Sequence, residues 1–419
     1  MSQHIAGACP LKPGRTGYFL VIETQKTEPG MRYQDSIFAQ LLKSVSRRCV
    51  GTIADRHMAE AYDKKFRLWD HVVAMVFAQL ADVRSLRQLQ ATWNASSHHH
   101  YHLGTGPLAR ATLADANGRR PPQAFADVFK MLSANADRGL RREGAEMVRL
   151  IDSTPIPLTD AFACRVSNGR IIGAKMHVVY EPATDRPCEI TITPANVNDI
   201  DIGKQTAIVP GMTYVFDKAY LSYAWWSELH EAGAVFVTRQ KDNARYATVH
   251  KRGLTATEKH GDGFTVIDDA EIKLIYGRNA NLDLPVRRIR VKREGGGRIT
   301  LITNDLNRSA AEIAKLYKTR WQIELLFRWI KQHLNLKTFL GRSENAVKIQ
   351  LYAAMIAYLL LRLAARASRS KHSALRFAEL VGCALFVRKS ITRIDKPPDV
   401  NPSRPKQKPA SKQMELCYV

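Results

Sequence analysis

The stretch MVRLIDST at residues 147–154 marks the point where the chain changes from helical to strand patterning. Met147 to Ile151 is a short apolar run typical of a buried strand, and it ends in the polar triplet Asp152-Ser153-Thr154. Turn residues separate the later runs from one another. We predict further strands over Arg170–Tyr180, Cys188–Thr193, Tyr214–Phe216 and Ala234–Thr238, and helices over Ile200–Ile208 and Ser222–Glu231.

Three strands, a helix, a strand, a helix and a strand follow one another in the order of a ribonuclease H-like sheet. We therefore predict an α/β fold built on a ribonuclease H-like mixed sheet with helices. Asp152 ends the first predicted strand and Asp217 follows the fourth. Because these two strands are neighbours in such a sheet, we expect the two aspartates to lie close together.

A second informative stretch is SAAEIAKLYKTRWQIELLFRWIKQHL at residues 309–334, which predicts one helix of about 25 residues. Ser309 and Glu312 form a capping box at its start. At about 100° of turn per residue, four polar side chains fall within an arc of about 60°, beside an apolar stripe that would pack on the sheet. They are Tyr317, Arg320, Glu324 and Lys331. Such a row is more often a solvated face, but the apolar stripe and the two preceding aspartates favour a site.

Three carboxylates in one place suit phosphate chemistry. Two Mg²⁺ ions about 3.5–4 Å apart can activate an attacking oxygen and stabilise a leaving one, and Mg²⁺ prefers hard oxygen ligands. The predicted catalytic residues and metal ligands are Asp152, Asp217 and Glu324. In this hypothesis Arg320 and Lys331 bind phosphates of the substrate strand, Arg320 through a bidentate fork. Tyr317 would donate a hydrogen bond to a phosphate oxygen.

The spacing of the helical row gives a resemblance to a known family. Counted from Tyr317, it is the Y-(2)-R-(3)-E-(6)-K signature, so the chain resembles the bacterial DDE transposases of the insertion sequence family four group. Asp152 in Ile-Asp-Ser-Thr and Asp217 in Phe-Asp-Lys-Ala-Tyr resemble the two aspartate regions of that family. The 107 residues from Asp217 to Glu324 fit its β-rich insertion. The resemblance covers roughly residues 30–370.

The resemblance implies an enzyme that uses two Mg²⁺ ions, for which Mn²⁺ can substitute. It implies binding to the terminal inverted repeats of a DNA element, cleavage of both strands, typically through a hairpin intermediate, and transfer of the 3′ ends to target DNA. It also implies a homodimer in the paired-end complex. Two alternatives stay open: a catalytically inactive or domesticated DNA-binding regulator derived from a transposase, and a nuclease that hydrolyses DNA without joining it.

Shifts in composition and periodicity divide the chain into parts. Trp69–Leu80 and the helix that starts after Ser85 are compatible with a DNA-reading helix-turn-helix and equally with any small helical bundle. We predict a flexible arm at residues 1–33, a helical DNA-end-binding domain at 34–145, a ribonuclease H-like catalytic domain at 146–239 and 306–370, a β-rich insertion at 240–305, and a C-terminal helix with a basic, proline-rich tail at 371–419.

The charge of the chain favours a polyanionic partner. Lys and Arg number 63 against 39 Asp and Glu, which gives a formal net charge of +24. The longest apolar run, Leu351 to Leu361, is shorter than the roughly 20 residues needed to span a bilayer, so we expect no membrane. The N-terminus lacks the apolar run of a signal peptide, and the six cysteines are scattered. We expect a protein of the bacterial cytoplasm, associated with the nucleoid.

Other polar residues near these segments have structural interpretations. Lys175 and His177 alternate on one face of the second strand, where an exposed sheet face is a more common explanation than a site. Asp199 and Asp201 follow Asn198, and we expect them to cap or open a helix.

Overall fold

A large mixed sheet forms the centre of the fold, with helices before and after it in the chain. The predicted arm at residues 1–33 and the last residues of the tail lie outside the part that is described. The computed structural model describes residues 35–61, 65–140, 147–158, 164–166, 169–171, 173–255, 259–261, 263–276, 280–281, 284–334 and 338–397.

Helices fill the described residues ahead of the sheet, as predicted. Ser36, Ser46 and Ser85 each begin a helix by accepting a hydrogen bond from a backbone N–H of the first turn, which satisfies a donor that the helix itself cannot. The helices are α1 (Ile37–Leu42), α2 (Arg47–Arg56), α3 (Leu68–Leu80), α4 (Leu86–Ala95), α5 (His100–Leu103), α6 (Arg110–Arg119) and α7 (Pro122–Leu140), with a 3₁₀ turn at Ser97–His99.

The first half of the sheet has the predicted ribonuclease H-like arrangement. Its main strands are β1 (Val148–Ile156), β4 (Ala174–Glu181), β5 (Arg186–Pro194), β6 (Thr213–Phe216) and β7 (Val235–Arg239), with α8 (Asp199–Gly203), a 3₁₀ turn at Lys218–Tyr220 and α9 (Tyr223–Glu231) between them. They lie side by side in the order β5-β4-β1-β6-β7. The first three are antiparallel, and β1, β6 and β7 are parallel. The predicted fold class is therefore confirmed.

Two details of the strand prediction are wrong. Asp152 does not end β1, because antiparallel pairing with β4 continues to Ile156 after the parallel partner β6 has stopped at Phe216. The predicted strand over Arg170–Tyr180 is divided. Its first part is β3 (Gly169–Ile171), which pairs with β2 (Cys164–Val166) in a separate small sheet.

The insertion is rich in strands, as predicted, and continues the central sheet. Its strands are β8 (Arg245–Lys251), β9 (His260–Gly261), β10 (Phe264–Tyr276), β11 (Ala280–Asn281), β12 (Val286–Arg293) and β13 (Arg298–Thr303). The longest of these, β10, has a bulge between Val266 and Asp268. Pairing of β13 with β7 joins the insertion to the ribonuclease H-like strands.

The helices after the sheet are α10 (Ala310–Thr319), α11 (Trp321–His333), α12 (Glu344–Ala367) and α13 (Ala374–Cys383). The capping box of Ser309 and Glu312 forms as predicted. The single long helix predicted over 309–334 is interrupted at Arg320, whose backbone N–H bonds to Tyr317 O, three residues back, and tightens the turn.

Helix α12 is the core helix of the fold. In the part of the chain that the structure describes, it alone is long and apolar enough to cross a bilayer, yet 83% of its most apolar 18-residue stretch is buried inside the protein. It packs against α3, α6, α7 and α13. This burial explains its composition, because a helix that is apolar on all sides suits the centre of a core.

Candidate active site

The register of two parallel strands places the predicted aspartates side by side. Ile151 of β1 pairs with Phe216 of β6, so the next residue on each strand is one of the two acids. Asp152 lies inside β1 beyond the end of β6, and Asp217 begins the turn that leaves β6. The expectation that the two acids are neighbours follows from this pairing, although Asp152 does not end its strand.

The surroundings of Asp152 disfavour the charged form of its carboxyl. Its surroundings raise the pKa of its carboxyl to about 6, chiefly through burial and with a contribution from the negative charges of Asp217 and Glu324. The backbone N–H of Ser153, 2.8 Å from Asp152 Oδ1, and the guanidinium of Arg320 act in the opposite direction. The mutual influence of the three carboxylates means that they converge on one region.

Arg320 bridges two of the acids. Its Nη1 lies 3.0 Å from Asp152 Oδ2 and its Nη2 lies 2.5 Å from Glu324 Oε1. The side chain is 18% exposed. The interruption between α10 and α11 falls at this residue. One turn of α11 further on, Glu324 then faces the same guanidinium.

Tyr317, near the end of α10, contacts both Asp217 and Arg320. Its hydroxyl donates a hydrogen bond to Asp217 Oδ1 at 3.2 Å, and the Arg320 guanidinium lies over its ring at 5.8 Å. Burial raises the pKa of this hydroxyl, so it stays protonated and remains a donor. Five of the six predicted residues therefore form one cluster, which holds three acids, one cation and one phenol.

Lys331 does not join that cluster. It lies on α11 seven residues after Glu324, is half-buried, and burial lowers the pKa of its ammonium. The apolar stripe beside the predicted row is confirmed, since Leu316, Ile323, Phe327 and Ile330 are all buried.

The donor chemistry of the cluster suits a divalent cation, although the side chains are not closed around one point. Within the described ranges, no three His, Cys, Asp or Glu side chains are close enough to hold an ion as they stand. The Arg320 guanidinium instead supplies positive charge between Asp152 and Glu324. Carboxylate oxygens are hard ligands, which is the type that Mg²⁺ prefers.

A second polar cluster, which sequence reasoning missed, lies behind Asp152. His177 is buried rather than exposed, and Asp199 does more than open α8, because it accepts hydrogen bonds from Ser153 and Lys175. Strand alternation did place Lys175 and His177 on one face. It carried no signal that α8 covers that face.

The sequence also matches known families and proteins. Residues 143–360 match the family described as Transposase DDE domain, and residues 33–106 match a Domain of unknown function (DUF4372). A protein of Sinorhizobium fredii named as transposase y4zB is 54% identical over 307 residues, which are 73% of this chain and 86% of that protein. A protein of Geobacillus stearothermophilus named as a transposase for insertion sequence element IS5377 is 33% identical over 217 residues, 51% of this chain and 56% of that protein.

The cryo-EM structure of a piggyBac transposase synaptic complex with hairpin DNA superposes with a TM-score of 0.44 at 10% sequence identity, over 84% of this chain and 78% of that one.

Proposed function

This chain belongs to the DDE transposases of bacterial insertion sequences, and on that basis we propose that Asp152, Asp217 and Glu324 are its catalytic residues. They would carry out DNA cleavage and strand transfer with two Mg²⁺ ions, for which Mn²⁺ can substitute. The chain is a DNA transposase. The cluster in which Arg320 and Tyr317 tie the three acids together is the observation that carries the assignment of the site.

The acids would hold the ions through hard oxygen atoms, and bound divalent cations supply activation of the attacking oxygen and charge neutralisation at the leaving one. In each transfer a phosphorus–oxygen bond to the attacking oxygen forms as the bond to the leaving oxygen breaks. The number of phosphodiester bonds is unchanged when a 3′ hydroxyl attacks target DNA. This balance requires no nucleotide hydrolysis.

Arg320 would change partners when DNA binds. In the free protein its guanidinium neutralises Asp152 and Glu324. Once cations take over that task, the same planar fork suits two oxygens of a phosphate. Tyr317 keeps its proton and would hold Asp217 in place or donate to a phosphate, and Lys331 would contact the strand further along α11.

The finer steps extend the same proposal. Residues 34–145 would bind the terminal inverted repeats, residues 146–239 and 306–370 would form the catalytic domain, and residues 240–305 would contact DNA beside it. Excision through a hairpin and action as a homodimer on paired ends are part of this proposal. The net charge of +24 supports extensive phosphate contact.

A Glu324→Ala variant tests the site. We expect it to bind repeat-end DNA as the wild type does and to lose Mg²⁺-dependent cleavage, whereas the exposed Glu379→Ala variant should retain both. Cleavage by Glu324→Ala at the wild-type rate would refute the assignment. A wild-type protein that binds ends but cleaves nothing in Mg²⁺ or Mn²⁺ would instead indicate a DNA-binding regulator, and cleavage without joined products would indicate a nuclease.

A further inference from the structure

The second polar cluster lies on the face of the sheet opposite Asp152. Side chains alternate along a strand, so Ser153 points away from the face that carries Asp152. Antiparallel pairing sets Ser153 opposite His177 on β4, which places both side chains on this second face. Helix α8 covers it, and this arrangement buries His177 to 4% exposure.

Asp199 contacts the other three polar side chains of the cluster. Its Oδ1 accepts a hydrogen bond from the Ser153 hydroxyl at 2.7 Å and one from the Lys175 ammonium at 3.1 Å. His177 Nδ1 lies 3.6 Å from the same oxygen. Lys175 also donates to Val197 O at 2.8 Å, which anchors it to the segment just before α8. Asp199 is therefore held on several sides.

The cluster reaches the proposed site through Ser153. The hydroxyl of Ser153 donates to Asp199, while its backbone N–H donates to Asp152 Oδ1 at 2.8 Å. Ser153 thus connects Asp152 on one face of the sheet with Asp199 on the other. Fixing the Ser153 side chain from behind fixes the backbone donor that orients Asp152.

Helix α8 also supports the turn that follows Asp217. Tyr220 packs so closely on Gly203 that a Cβ there would lie 2.8 Å from its ring. The backbone N–H of Tyr220 donates to Asp217 O at 3.1 Å and closes the turn. The two aspartates of the site therefore rest on the same short helix, one through Asp199 and the other through Gly203.

We propose that Asp199 is a positioning residue of the transposase, which orients Asp152 for metal binding by holding Ser153 from the far face of the sheet. This inference rests on the proposed function, because it assumes that Asp152 is a metal ligand. Asp199 and Lys175 are about 20% and 18% exposed. Burying two charged side chains costs free energy, so an apolar pair of similar volume would stabilise the fold at least as well.

Removing a residue that supports a metal ligand typically costs about 10–100-fold in metal affinity or activity. We expect Asp199→Ala and Ser153→Ala each to weaken Mn²⁺ binding to the full-length protein about 10-fold, measured without DNA from the electron paramagnetic resonance signal of the free aqua ion. Ser153→Thr, which keeps the hydroxyl, should stay near wild-type affinity. Asp201→Ala is the matched control, since Asp201 lies on the same helix but is exposed.

The outcomes separate this inference from the proposed function. If Asp152→Ala abolishes Mn²⁺ binding while Asp199→Ala binds as the wild type does, the positioning role is wrong and the proposed site stands. If Asp152→Ala leaves Mn²⁺ binding intact, the proposed site itself is wrong. If Ser153→Thr loses as much affinity as Ser153→Ala, or if Asp199→Ala loses affinity only in proportion to a loss of folded protein seen by circular dichroism, the cluster is a structural anchor and the inference is overturned.

Discussion

The raised pKa of Asp152 predicts that this acid destabilises the metal-free protein at neutral pH. The pKa of its carboxyl is near 3.8 when the chain is unfolded and about 6 when it is folded. The folded protein therefore binds the extra proton between these values, and stability falls as pH rises through this window. Below 3.8 both states are protonated and the penalty is absent. Above 6 the penalty is complete, and a pKa difference of about 2 between the two states corresponds to about 3 kcal/mol.

An Asp152→Asn variant measures this penalty, because asparagine resembles the protonated acid. In the presence of EDTA at about pH 7.5 we expect the variant to be more stable than the wild type by up to about 3 kcal/mol. The advantage should shrink as the pH approaches about 4. Urea unfolding followed by tryptophan fluorescence gives both stabilities, and Asp201→Asn serves as the control for an exposed acid.

Mg²⁺ should change the difference in stability between the wild type and Asp152→Asn. A ligand that binds only the folded protein stabilises it by mass action, so Mg²⁺ should stabilise the wild type and leave Asp152→Asn nearly unchanged. Equal stability of the two proteins at about pH 7.5 in EDTA, or an advantage of the variant that grows towards about pH 4, would refute the reasoning from burial and like charge.

Two further predictions concern residues away from the acids. Arg287 donates from Nε and Nη2 to buried Asp269 at 2.7 and 2.5 Å. Arg287→Ala should destabilise the protein by about 3–5 kcal/mol, because it leaves the buried carboxylate with only the longer contact to Arg252 Nε at 3.9 Å. Arg290→Ala, which removes a half-exposed partner of Asp268, should cost about 0–1 kcal/mol in the same urea titration. Lys331→Ala should leave stability unchanged but lower the slope of log binding constant against log salt by about 1 in fluorescence titrations with repeat-end DNA, and an unchanged slope would remove Lys331 from the DNA contacts.

Much of the architecture was predictable because periodicity reports burial. The strand order followed from short apolar runs between turn residues, and the apolar stripe beside Glu324 followed from helical spacing. The end of β1 was not predictable, since β1 outlasts its parallel partner and Asp152 carries no local sign of that. The interruption at Arg320 was hidden for the same reason, because a tightened turn there leaves the helical spacing of residues nearly intact.

The contacts of the site were less predictable than its members. Sequence spacing brought Tyr317, Arg320 and Glu324 to one face, but it did not show that Arg320 would pair with two acids in the free protein. The contacts of Asp199 were missed because its partners Ser153 and Lys175 are separated from it by 46 and 24 residues. Such contacts arise from packing, which no local pattern reports.

The pairing of β13 with β7 has a consequence for how this enzyme can be shortened. Excising residues 240–305 would strip the outer neighbour from β7 and leave the backbone amides and carbonyls at Val237 to Arg239 without their partners. An open strand edge of that kind attracts other chains. A shortened enzyme would therefore aggregate through the unpaired edge of β7 before any effect on DNA could be measured. A segment with charged residues or proline, added to protect that edge, would prevent this.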